Sequence, residues 1–132
     1  MAEELRTLVE RLKAVSHPLR QRVLSLIEAG ELCNCQIAET LQVPASSVSE
    51  ALRELRRAGF VTERKDGRWV FMSLVSRELA APFLQGLLEE AAALPELQQD
   101  RARAQAVKAL AIPVVCSKVQ RDAPTEREAT HV

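Results

Sequence analysis

The stretch from Pro44 to Met72, PASSVSEALRELRRAGFVTERKDGRWVFM, changes its period halfway along. From Pro44 to Ala58, the apolar residues Val48, Ala51, Leu52 and Leu55 recur at helical spacing, and Gly59 ends the run. Phe60–Lys65 and Arg68–Met72 are then β-prone runs parted by Asp66-Gly67. Asp-Gly between such runs predicts a two-residue hairpin, with both turn positions at positive φ. A helix that leads straight into a basic-tipped hairpin is the second half of a winged helix-turn-helix.

The upstream sequence supplies the first half. Leu5, Leu8, Val9, Leu12 and Val15 form one amphipathic stripe. Ser16-His17-Pro18 breaks it, with Ser16 able to cap a second helix and Pro18 in that helix's first turn. Leu19, Val23, Leu24, Leu26 and Ile27 line the second helix, which Gly30 stops. A short third helix is expected from Cys33 or Asn34 to Leu41, then a tight turn at Gln42-Val43-Pro44. Downstream, a helical pattern runs through Leu79, Phe83, Leu84, Leu87, Leu88 and Ala91, with Pro82 predicting a kink or a start delayed to Ala81. Glu96–Ala111 reads as another helix closed by Pro113, and the polar stretch from Ser117 to Val132 is expected to be disordered. The fold class is mainly α (α+β), a winged helix-turn-helix with a two-stranded hairpin wing. Residues 1–94 are expected to form the winged helix-turn-helix domain, 95–116 a C-terminal helix with a Cys-bearing extension and 117–132 a tail.

Composition narrows the possibilities. The chain has 132 residues, 47% of them apolar, but only three Phe and one Trp, so Leu, Ala and Val must fill the core, which suits helices. Eighteen basic and eighteen acidic residues cancel, so any nucleic-acid surface must come from local clustering. No run of about 18 apolar residues spans a membrane. Met1-Ala2-Glu3-Glu4 opens acidic with no signal-peptide core, so the expected compartment is the cytoplasm. There the three cysteines are expected as free thiols or metal thiolates.

Clustering appears where the fold needs it. With Val48 and Leu52 inward, Ser46, Ser47, Ser49, Glu50 and Arg53 face out from the first turns of the reading helix. Serines there suit phosphates and base edges, unless they merely cap the helix. Arg64, Lys65 and Arg68 surround the hairpin tip, where a wing meets the phosphate backbone or minor groove. A solvated charged face is the plain alternative, because Glu50, Glu54, Glu63 and Asp66 lie in the same stretch.

Ser16-His17-Pro18-Leu19-Arg20, Glu31-Leu32-Cys33-Asn34-Cys35-Gln36-Ile37-Ala38, Ser47-Val48-Ser49 through Val61 and the wing Lys65–Val70 together resemble the ArsR/SmtB family of metal-sensing repressors over roughly residues 5–92. The resemblance implies a homodimer that represses its own resistance operon, binds operator DNA and leaves it when metal binds. It also implies dimer contacts from the Leu5–Val15 and Leu79–Ala91 stripes, although either stripe can instead be internal core. Glu50 stands where members often carry a basic residue or His, which alters the plausible operator because Glu accepts from cytosine N4.

The cysteines define the inducer. The resemblance places a third thiol of the arsenic-sensing form at Ala38, so the local triad is absent; no cysteine precedes Cys33, and 76–94 holds no His or Asp. Cys116 is the remaining candidate. Three thiolates, Cys33, Cys35 and Cys116, without a fourth ligand suit trivalent arsenic (arsenite) or antimony better than zinc or cadmium. No organic cofactor is expected. Side chains at i and i+2 do not face each other on a helix, so gripping one ion with Cys33 and Cys35 would distort the helix start beside the reader. A thiol-redox or cadmium/lead-sensing repressor is the alternative, and Cys116 is otherwise a small buried hydrophobe. No anion-cradling loop or general acid adjoins the pair, which argues against an enzyme.

Overall fold

The computed structural model describes residues 2–75 and 77–122. The order is α1 (Ala2–Val15), α2 (Pro18–Ala29), β1 (Leu32–Cys33), α3 (Asn34–Leu41), α4 (Ala45–Arg57), β2 (Val61–Asp66), β3 (Trp69–Leu74), α5 (Arg77–Ala92), α6 (Pro95–Lys108) and α7 (Ile112–Asp122). Helices α2, α3 and α4 carry the helix-turn-helix, and β2–β3 form the wing.

Local chemistry sets the boundaries. His17, not Ser16, caps α2: its Nδ1 accepts from the Leu19 amide at 3.2 Å, while the Ser16 hydroxyl donates back to the Lys13 carbonyl. The turn between α3 and α4 passes through Gln42 at φ 55°, a left-handed position that lets the chain reverse in few residues. The wing turn is Gly67-Arg68, one residue later than Asp66-Gly67, because Asp66 still pairs with Trp69. Only Gly67, at φ 61°, needs the left-handed region, the pattern of a turn with glycine first.

The sheet holds more than the expected hairpin. Its order is β1-β3-β2, all antiparallel, with Leu32 opposite Met72 and Cys33 opposite Phe71. Two residues are too few for a period to show in sequence, so β1 exists only through its partner strand.

Val23, Leu24, Leu26, Ile37, Val48, Leu55 and Phe60 form a buried core between α2, α3, α4 and the sheet. Helix α5 begins at Arg77 and contains Pro82, so the start is not delayed to Ala81. Its Leu84 and Leu88 are core residues of the same chain and Ala91 is buried too, so these three positions of the expected dimer stripe pack within their own chain. Leu79 and Phe83 lie outside the described side chains. By contrast Leu5, Leu8, Val9 and Leu12 of α1 are exposed.

The C-terminal part is more ordered than its sequence suggests. Pro113 opens α7 instead of closing α6, since its missing N–H and fixed φ suit a first helical turn. The helix carries Cys116 and continues past Ser117 to Asp122, correcting the expectation of disorder over 117–122; residues 123–132 lie outside the described residues.

Candidate nucleic-acid interface and its thiol junction

Helix α4 divides into a buried stripe and a solvent-facing one. Val48, Ala51, Leu52 and Leu55 are buried, whereas Ser46, Ser49, Glu50 and Arg53 are exposed and Ser47 is half-buried. The N-cap is Pro44, with no side-chain cap, so these serines are not caps. A shallow cleft of about 210 Å³ lined by His17, Arg20, Ser47 and Glu50 joins the start of α2 to this face.

The wing residues are differently committed. Lys65 is exposed at the hairpin. The Arg68 guanidinium lies 5.0 Å over the Trp69 ring, and Arg64 lies 5.0 Å over Phe71. Arg64 also clasps Glu31, its Nη2 donating to Oε1 at 2.6 Å and its Nε to Oε2 at 3.3 Å. That hydrogen bond holds the Glu31 carboxyl below the usual carboxylate range and raises Arg64 further. The Arg64 guanidinium therefore meets another anion only by sharing or leaving Glu31.

Glu31 opens the segment where the cysteines lie, and each residue there touches a different part of the molecule. Leu32 and Cys33 pair with β3 of the wing. Cys33 is the extended N-cap of α3 and a buried free thiol, its amide donating to Gln36 Oε1 at 3.0 Å. Asn34 donates from Nδ2 to Ser49 Oγ at 2.7 Å and to the Ala45 carbonyl at 3.3 Å, both on the reading helix. Cys35 is bonded to Cys116 of α7, with Cα atoms 5.1 Å apart and a sequence separation of 81.

The structure thus brings two of the three expected thiols together and leaves Cys33 apart. Among the described residues no three His, Cys, Asp or Glu side chains gather at one point. Cys35 and Cys116 are bonded to each other and would offer two thiols to one ligand only when reduced. A trigonal three-thiolate cage requires Cys33 to leave its place at the helix start and sheet edge.

Polar contacts hold α6 and α7 against the helix-turn-helix. Asp100, only 1% exposed, receives Arg22 through Nε at 2.9 Å and Nη2 at 3.0 Å, and this bond raises the guanidinium's pKa. Arg101 pairs with Glu28 and donates to Ser25. Arg103 donates to the Thr40 carbonyl at 3.1 Å, and Lys118 meets Glu39 at 2.9 Å. Glu31, Asn34, Arg22 and Asp100 escaped sequence reasoning. The last two are 78 residues apart, and no local pattern connects them.

These elements define a winged-helix DNA-binding regulator. Residues 17–63 match the bacterial regulatory protein arsR family. An HTH-type transcriptional regulator of Methanocaldococcus jannaschii is 36% identical over 74 residues, 55% of this chain and 83% of that one. The arsenical resistance operon repressor of Escherichia coli K12 is 40% identical over 52 residues, 39% of this chain. The chain spans about half of the arsenical-resistance regulators it matches, from 44 to 54% of their length. Among solved structures, reduced HlyU from Vibrio cholerae N16961 matches with TM-score 0.59 and 29% identity over 71% of this chain and 97% of that one. The chain belongs to the arsR family and is a transcriptional regulator, not an enzyme. Among the described residues, no helix is long and apolar enough to cross a membrane.

Proposed function

We propose that this protein is a cytoplasmic, homodimeric repressor that leaves its operator when trivalent arsenic, or antimony, is taken up by its cysteine thiols. The observation that carries the reading is the meeting of Cys35 and Cys116, which joins the first helix of the helix-turn-helix to α7 one residue from the Asn34 contact with the reading helix. Once a cytoplasmic thiol reductant has supplied two electrons and two protons to open the Cys35–Cys116 bond, arsenite exchanges two hydroxyls for the two thiols, releases two waters and bridges the pair with no further change of oxidation state. Recruiting Cys33 as third ligand breaks its N-cap and its pairing with β3, moving the helix start that positions α4. Arsenic and operator then favour different arrangements, and each weakens the other's binding. Ser46, Ser47, Ser49, Glu50 and Arg53 would read the major groove, with Arg64, Lys65 and Arg68 on the backbone. The exposed Leu5, Leu8, Val9 and Leu12 stripe supports α1 as the dimer face.

The Cys35–Cys116 bond supports a second reading, in which oxidation of the pair is itself the signal. One experiment separates the two. Reduced protein on a duplex from its own promoter is titrated with arsenite, antimonite and a thiol oxidant, following anisotropy and thiolate–arsenic absorption together. Arsenic sensing predicts release by arsenite under reducing conditions, lost in Cys35→Ser and Cys116→Ser. Release by oxidant alone supports the redox reading, and operator affinity indifferent to both sinks the thiol-sensing claim.

A further inference from the structure

The residue between the two cysteines carries no thiol, yet it reaches the reading helix. Asn34 Nδ2 donates to Ser49 Oγ at 2.7 Å and to the Ala45 carbonyl at 3.3 Å, while Asn34 Oδ1 is buried and accepts from nothing. The opposite amide orientation would set Oδ1 against the Ala45 carbonyl oxygen, two acceptors face to face, so the donor assignment follows from geometry. Asn34 is also the first residue of α3, after the Cys33 cap, so no helix-capping role explains its side chain.

The direction of the bond has a chemical consequence. Ser49 Oγ uses a lone pair to accept from Asn34, so its own hydrogen is left to donate. Ser49 is exposed on the reading face. We propose that Asn34 is a positioning residue for DNA recognition: it fixes Ser49 as a hydrogen-bond donor toward the operator and ties that donor to the backbone carrying Cys35. The acceptors such a donor meets in the major groove are guanine O6 or N7, adenine N7, thymine O4 or a phosphate oxygen. Cys35 is the next residue and is held by α7, so a change at the Cys35–Cys116 pair moves Asn34 first and Ser49 through it. This coupling rests on the thiol-sensing reading; the positioning of Ser49 does not.

The test uses the full reduced chain as wild type, Asn34→Ala, Ser49→Ala and the double variant, on a duplex from its own promoter. Each single variant should bind about three- to tenfold more weakly, the range expected for one lost hydrogen bond. The double variant should be no weaker than either single one, because both remove the same contact. Thermal midpoints should stay close to wild type, and arsenite should still bind with unchanged stoichiometry. The ratio of operator affinities without and with arsenite should fall at least threefold in Asn34→Ala. Additive losses in the double variant, or wild-type affinity in Asn34→Ala, overturn the positioning role. Should Asn34→Ala not fold, wild-type affinity in Ser49→Ala, whose side chain is exposed, overturns it equally. If wild type itself ignores arsenite and oxidant, the thiol-sensing reading and the coupling fail together, while the comparison of single and double variants still decides the positioning role.

Discussion

The helix-turn-helix and the C-terminal extension are both helical, yet they are held by different forces. Between α2, α3, α4 and the sheet the buried contacts are mainly apolar, with Val23, Leu24, Ile37, Val48, Leu55 and Phe60 nearly inaccessible to water. Helices α6 and α7 add Ala104, Val107, Val115 and Val119 to that core, but ion pairs and one sulfur–sulfur contact anchor them. Apolar packing is non-directional and hard to undo piecemeal. Charged contacts and thiols depend on pH, salt and reactive ligands. The difference teaches that the extension adds, to an apolar core shared with the reader, contacts that salt, pH and thiol chemistry can change, and that Cys35 is where one of them grips the reader.

The largest expected effect probes the apolar core. Leu24→Ala empties a fully buried position and should cost about 3–4 kcal/mol, seen as a lower midpoint in urea across the whole chain. A loss below about 1 kcal/mol would mean that the core is not the stronger of the two regions.

Next comes the thiol link. Opening Cys35–Cys116 frees a loop spanning 81 residues and should lower stability by about 2–4 kcal/mol. Comparing unfolding with and without reductant measures this, and Cys116→Ser should abolish the difference. An identical shift in Cys33→Ser and wild type would confirm that Cys33 stands outside the link.

Asp100→Ala should cost about 2 kcal/mol, less than a fully buried pair because Arg22 retains some solvent. Amide exchange should quicken in 95–122 and stay slow in α2 and α4. Uniform quickening would erase the distinction between the regions.

The smallest effect concerns Glu31 and Arg64. The Glu31 carboxyl is lowered by its bond to Arg64, so the pair is intact above the ordinary carboxylate range and is lost as pH falls through the lowered value. An NMR titration following Arg64 Nε should show movement only below that range; movement near neutrality would show that the clasp does not persist in solution.

The sequence made the reader legible because its determinants are local. Helical periods, Pro44, Gly59 and the glycine of the wing turn each act within a few residues. Three features were not legible in this way. Strand β1 is two residues long and acquires its identity from β3. Arg22 and Asp100 are ordinary charges until α6 folds back onto α2. Pro113 is consistent with either the end of one helix or the start of another, and only the docking of α7 on α3 selects the second.

The cysteines divide in the same manner. By itself the sequence determined which residue types were available: three thiols, one of them distant, and a reading face of serines with Glu50 and Arg53. Tertiary structure decided their grouping. Cys35 in the first turn of α3 meets Cys116 of α7, while Cys33, only two residues earlier, is drawn to the sheet edge as a cap. The physical reason is the helix start itself. Cys33 is extended backbone and Cys35 is helical backbone, so the side chains diverge; a third helix then chooses which thiol it meets, and Asn34 between them is left to touch the reader.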